Sequence, residues 1–262
     1  MNESESLWST GERKLLEEGI IPSPNSIECA RTALGDYMQR LASNQPHVAE
    51  VYHENSKLSP FSTLEVPMDG RKLAEVRTWF FQTAYNMRED EIETRHEADF
   101  RSRVDRLPEP LASLLTPFTA PGPAADLLYS VDLLLLHQAK VYRLVATTQK
   151  LWVEREVAPT EWVALRAALP ALPANCPLER TPLLFLIGCA WRYMLVYGPR
   201  GYRYTLFDAG RLLSLLESQA AKARCGLFLM QEFYDSRLDR FLYAEGVERS
   251  TLAVLALSGG QP

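Results

Sequence analysis

Between Trp191 and Gly210 the chain gathers the side chains best suited to chemistry. Tyr193, Tyr197, Tyr202 and Tyr204 alternate with Arg192, Arg200 and Arg203, and Gly198 and Gly201 interrupt them. This segment succeeds an apolar run, Leu183 to Ala190, and leads into Asp208-Ala209-Gly210. A positioned phenol can lend or take a proton. Arginine forks offer charge-assisted donors to anionic groups. The same tyrosines also read as packed aromatics, the commoner fate of such side chains. A second cationic candidate, Arg95, sits in Thr94–Phe100, inside a mixed-charge stretch from Arg88 to Arg106. Mixed charge of that kind reads equally as a solvated helix face. Metal chemistry is not indicated. His47, His53, His96 and His137 form no i,i+4 pair, and Cys29, Cys176, Cys189 and Cys225 are widely spaced with no C-x-x-C. The chain has no P-loop, no G-x-S-x-G and no G-x-G-x-x-G after a strand.

The run Trp191-Arg192 … Val196-Tyr197-Gly198-Pro199-Arg200-Gly201-Tyr202-Arg203-Tyr204, then Asp208-Ala209-Gly210, resembles W-R-x-x-x-K-Y-G-x-R-x-Y-R-Y and D-A-G-H of the SagB-type dehydrogenases. These are FMN enzymes of the nitroreductase superfamily that oxidise azolines to azoles in ribosomally made peptides. Tyr52-His53-Glu54-Asn55-Ser56-Lys57 is similar to a Y-H-E-x-S/T-K run of the same family. The resemblance makes Tyr197 the candidate catalytic residue and Arg95, Arg200 and Arg203 the candidate cofactor-binding residues. It implies a nitroreductase-like domain over residues 47–262 after a helical extension, 1–46. It also implies FMN shared across a dimer interface, with a homodimer and a heterodimer with a flavin-loaded paralogue both open. The implied partners are a precursor peptide and other peptide-modifying enzymes of a bacterial pathway.

The departures fall where the family does its chemistry. Val196 stands in place of the catalytic Lys and cannot move a proton. Thr94, His96 and Ala98 replace the first Arg, the Ser and the last Arg of the phosphate-clamping R-R-S-x-R-x-F, leaving Arg95 and Phe100. Asp126 replaces the Gly of S-A-G-A-L-Y-P in Ala124–Ser130, a carboxylate where reduced flavin would be anionic. Arg211 stands for the His after D-A-G, and only Gly226 remains of a glycine-rich stretch. Three readings are open. The first is a SagB-like protein with a degenerate flavin site and a scaffolding or peptide-binding role. The second is a working FMN-dependent azoline dehydrogenase with a substitute base. The third is a different reaction on a modified peptide in the reused pocket.

These residues must be positioned by elements that the apolar periodicity makes legible. Helices are expected over 8–21, 26–42, 71–86, 111–115, 160–169, 207–224 and 235–243. Strands are expected over Leu127–Leu136, Val141–Val145, Leu151–Val153, Leu183–Ile187 and Thr251–Leu257, with Thr147–Gln149 as a turn and Pro117–Pro123 as a loop. Leu127–Leu136 has the continuous apolarity of a strand buried on both faces. Arg200–Arg203 is expected as a turn and Asp208 as a helix cap. The order is α/β in kind, and with the resemblance it becomes an α+β nitroreductase-like fold: a mainly antiparallel central sheet flanked by helices, in a dimer.

The 262 residues carry a net charge of -5, with 47% hydrophobic and 23% charged side chains. Those values describe an ordinary globular protein and argue against nucleic-acid binding, which favours a basic surface. No apolar run approaches the ~20 residues of a membrane span. The acidic start, Met1–Glu5, has no signal-peptide pattern, and the cysteines read as reduced thiols, so the expected location is the cytoplasm.

Overall fold

The computed structural model describes residues 52–53, 56, 71, 73–82, 101–230 and 232–258. The helices expected over 8–21 and 26–42, and Arg95 with its charged run up to residue 100, lie outside the described residues. The chain divides into two compact units, residues 1–57 and 58–262. The sheet and its helices all belong to the second unit.

The centre of that unit is a seven-stranded sheet in the order β1-β4-β3-β2-β5-β7-β6, with every neighbouring pair antiparallel. The strands are β1 (Arg101–Arg103), β2 (Val131–His137), β3 (Lys140–Leu144), β4 (Lys150–Glu156), β5 (Leu183–Gly188), β6 (Gly226–Met230) and β7 (Ser250–Ser258). The helices are α1 (residues 73–82), α2 (Leu111–Leu115), α3 (Pro123–Asp126), α4 (Glu161–Ala168), α5 (Trp191–Tyr197), α6 (Gly201–Lys222) and α7 (Asp235–Phe241). β2 and β3 form a tight hairpin closed by His137 opposite Lys140. Its two turn residues, Gln138 and Ala139, take φ of 51° and 60°, the left-handed values that match strand twist in a two-residue turn.

The leucine-rich strands explain the layering. Side chains alternate across a strand, so an all-apolar strand must be covered twice. Leu133, Leu135, Leu184, Leu186, Leu255 and Leu257 pack on one side with Leu212, Leu216 and Ala220 of α6 and with α2. Leu134, Leu136, Leu183, Phe185, Val254 and Ala256 pack on the other with α4 and α7 through Leu165, Ala168, Leu238 and Phe241. Each fully buried Leu or Phe contributes about 1.5–3 kcal/mol by leaving water.

Several expectations need correction. Leu127–Tyr129 forms a 3-10 turn, and the strand begins at Val131. All three turn residues are buried, so their apolarity reflects docking and not pleating. The loop over Pro117–Pro123 contains part of a 3-10 turn, Thr116–Phe118, and ends at the start of α3. The long helix starts at Gly201, six residues earlier than expected, because a 3-10 turn at Gly198–Arg200 runs directly into it. Asp208 therefore lies inside α6 and caps nothing. The sequence patterns give no sign of β1, β6 or α5 as separate elements. β6 alternates exposed and half-buried residues until Met230, a weak signature at a sheet edge.

Candidate functional site

The corner between α5 and α6 carries Tyr197, Arg200 and Arg203, three of the candidate site residues. Gly198 ends α5 with φ of 56°, a conformation side chains disfavour, and Pro199 starts the 3-10 turn. Gly201 is helical. A Cβ there would sit 2.4 Å from Met194 N and from the Tyr193 carbonyl carbon, so the glycine allows α6 to cross α5 at backbone contact. Tyr197 closes α5 half-buried. Its ring meets Tyr204 edge-on at 4.9 Å and lies 6.1 Å from Tyr193. Arg200 Nε donates to the Tyr204 hydroxyl at 3.2 Å. Arg203 is half-buried on the first turn of α6. Tyr197 and Arg200 thus converge on Tyr204. Val196 stands one residue before Tyr197 on α5, half-buried.

Beneath this corner lies a buried polar network. Tyr193 Oη donates to Asp208 Oδ2 at 2.8 Å, and Ser130 Oγ donates to the same oxygen at 3.1 Å. Arg77 of α1 donates to Tyr193 Oη and lies 3.8 Å from Asp126 Oδ2. Burial raises the Asp208 pKa, opposed by the two hydroxyl donors. Burial, reinforced by the Asp208 charge, pushes the Tyr193 phenol well above its ordinary value, against the pull of Arg77. Burial also raises Tyr197. Near neutral pH these two phenols hold their protons, so they can donate hydrogen bonds but do not act as bases.

A second buried cluster sits at the start of β2. The Asp132 carboxylate lies 2.9 Å from Arg192, 3.4 Å from Arg143 and 3.7 Å from Arg249. Arg143 also approaches Glu154 at 2.5 Å. Burial alone would raise the Asp132 pKa; Arg143, Arg192 and Arg249 outweigh it and hold the carboxyl far below the usual range. Cys189 Sγ is 3.6 Å from Asp132. Burial and that negative charge push the thiol up to about 12. Arg192 also donates to the Tyr129 carbonyl at 2.9 Å, and Tyr129 Oη donates back to the Arg192 carbonyl at 3.1 Å, pinning α5 to the 3-10 turn. An apolar cleft with a cavity volume of about 70 Å³ adjoins the cluster, walled by Phe80, Phe81, Leu128 and Trp152 beside Asp132, Arg143 and Arg192.

Sequence reasoning singles out Tyr197, Arg200 and Arg203 and notes Arg192, but misses Arg77 and the gathering of Arg143, Arg192 and Arg249 around Asp132. One signal exists: Asp132 is the sole charge between Leu127 and Leu136. A lone acid in such a run must find partners once the strand is buried. Asp126, at the glycine position of the resembled loop, is half-exposed on α3 beside Arg77.

No protein-family model matches the chain. No curated protein matches it either. Among solved structures it is similar to a nitroreductase-named protein of Anabaena variabilis ATCC 29413, with a TM-score of 0.54 and 19% identity over 82% of this chain. The chain spans about half the length of that protein, 46%. Weaker likenesses are to a chain of the E. coli microcin synthetase McbBCD complex with truncated pro-MccB17 bound (TM-score 0.49, 13% identity, 99% of this chain and 100% of that one). A nitroreductase-named protein of Ralstonia eutropha JMP134 is also similar (TM-score 0.44, 12% identity, 79% and 89%). The first likeness, with the antiparallel sheet between two helical layers, shows the α+β nitroreductase-like fold. Among the described residues, no helix is long and apolar enough to cross a membrane, and no cluster of acids, His and Cys could hold a metal ion.

Proposed function

We propose that this nitroreductase-fold chain is a divergent SagB-like protein that binds or scaffolds a ribosomally made peptide during its modification, without oxidising azolines itself. It works as a homodimer or beside a flavin-loaded paralogue. The observation that carries this reading is Val196. It occupies α5 one residue before Tyr197, where the resembled family places its proton-accepting Lys, and the neighbouring phenols are driven away from base chemistry.

Among the described residues, the lysines elsewhere are poorly placed to substitute. Lys222 ends α6, about 30 Å along the helix axis from Gly201 at 1.5 Å per residue. Lys140 pairs with Glu156 at 3.1 Å at the hairpin end of β2, remote from Ser130 and Val131. Lys150 opens β4, separated from β2 by β3. The described residues also do not fit FMN as the family holds it. Asp126, at the end of α3, sets a carboxylate at the position where the resembled family has a glycine, and its neighbour Arg77 is committed to Tyr193.

The test is the visible absorption spectrum of freshly purified protein, before and after addition of FMN. The reading expects no flavin bands in either case, and co-purification with a peptide-modifying partner. Stoichiometric flavin would replace it with the dehydrogenase reading and start a search for the substitute base. A Tyr197→Phe variant is expected to bind peptide as the parent does; loss of peptide mass by two units per ring in the parent alone would again favour the dehydrogenase.

A further inference from the structure

Among the described residues, the Asp132 cluster holds more positive than negative charge. Three arginines, Arg143, Arg192 and Arg249, face two carboxylates, Asp132 and Glu154, in a region where Arg143, Arg192 and Asp132 are all largely withdrawn from water. An excess charge removed from water calls for a counter-charge. Two donors beside it are also unspent. Arg192 Nε and Trp152 Nε1 are buried and have no hydrogen-bond partner among the described residues. Arg192 and Trp152 are 7% and 2% exposed, and both line the apolar cleft. The Arg192 guanidinium is further pinned over Phe80 at 4.5 Å, which fixes its plane at the cleft wall.

We infer that this cleft binds a carboxylate carried on an apolar or aromatic body, the anion meeting Arg192 and the Trp152 indole and the body lying against Phe80, Phe81 and Leu128. A carboxylate suits better than a phosphate dianion. The one excess positive charge among the described residues balances one negative charge, and the walls away from Asp132 and its arginines are hydrocarbon. A free aromatic acid and the C-terminal residue of a peptide present the same chemistry. The inference is independent of the flavin reading, since nothing in it involves Tyr197 or FMN.

The test is calorimetric titration of the purified chain with benzoate, N-acetylphenylalaninate, benzamide and inorganic phosphate. Saturable binding of benzoate, with benzamide at least about ten-fold weaker, is expected, because a hydrogen bond to a charged group is worth that factor or more. Preference for N-acetylphenylalaninate over benzoate would identify a peptide terminus; the reverse would identify a free acid. Trp152→Phe keeps the wall and removes the indole donor, and should weaken binding several-fold. Ala146→Phe fills the cleft without touching a charge and should abolish binding. Both variants are checked for a native melting transition. Equal binding of benzoate and benzamide, phosphate binding without benzoate, or benzoate binding unchanged in a folded Ala146→Phe protein would each overturn the inference.

Discussion

Asp132 shows how one side chain can organise its surroundings. It interrupts an apolar strand, and Arg143 from β3, Arg192 from α5 and Arg249 from just before β7 gather around it. Removing its charge would leave three arginines facing a neutral amide. Asp132→Asn is expected to cost about 3–5 kcal/mol, the usual cost of breaking a buried ion pair from one side, as read by urea unfolding. The lowered carboxyl sets the pH dependence. Its folded pKa lies below its unfolded value, so its contribution is present above the unfolded pKa, about 3.9, and is lost as pH falls through the folded one. Between pH 5 and 2 the parent should therefore lose stability with a steeper slope than Asp132→Asn, by up to one proton. Asp208 works in the opposite sense. Its folded pKa is raised, so its contribution falls as pH rises from the unfolded to the folded value. Asp208→Asn should remove that opposing slope, and a variant with unchanged acid dependence would refute the assignment.

At the scale of elements, the α5–α6 corner depends on one glycine and tolerates change at another. Gly201→Ala forces a Cβ into the backbone of Tyr193 and Met194, which cannot yield as a flexible side chain would. Separating the helices should cost at least the 1–3 kcal/mol typical of about one methyl too many in a packed core. Gly210 lies in the middle of α6 with open space around the site of its Cβ. Gly210→Ala should stabilise by about 0.5–1 kcal/mol, because alanine loses less backbone freedom on entering a helix. Thermal melts of the two variants should move in opposite directions. The same corner marks what sequence patterns leave hidden. The apolar face of α6 is legible from Leu212, Leu213, Leu215, Leu216 and Ala220. Its first turn is not, since Gly201 weakens the helical signal and Asp208 imitates a cap. β2 is found through its leucines, but its true start at Val131 is masked, because hydrophobicity records burial and not dihedral angles.

For the whole molecule, α5 and α6 present large apolar side chains to solvent. Leu195 is 79% and Phe207 62% exposed, with Trp191, Met194 and Leu206 also uncovered. Apolar exposure concentrated on two adjoining helices is a feature of surfaces that meet a partner. If a second copy provides that partner, as the dimer proposal holds, sedimentation should show a dimer that Leu195→Glu and Phe207→Glu convert to a folded monomer. A parent chain monomeric at high micromolar concentration would leave only the heterodimeric arrangement.

The sequence by itself determined a layered sheet-and-helix architecture, because near-continuous leucine strands demand cover on both faces and the α6 periodicity supplies it; the antiparallel α+β form is an expectation from the family resemblance. It also determined that position 196 carries no proton-accepting group, since that is a property of valine in any fold. Tertiary structure decided which charges meet. Asp132, Arg143, Arg192 and Arg249 span more than a hundred residues and share no local pattern, so only the pairing of β2 with β3 and β5, the pairing of β5 with β7 and the docking of α5 bring them together. It also converted Asp208 from an expected cap into the acceptor for Tyr193 and Ser130. Local propensity acts over a few residues, whereas burying a charge forces it to find partners wherever the chain has placed them.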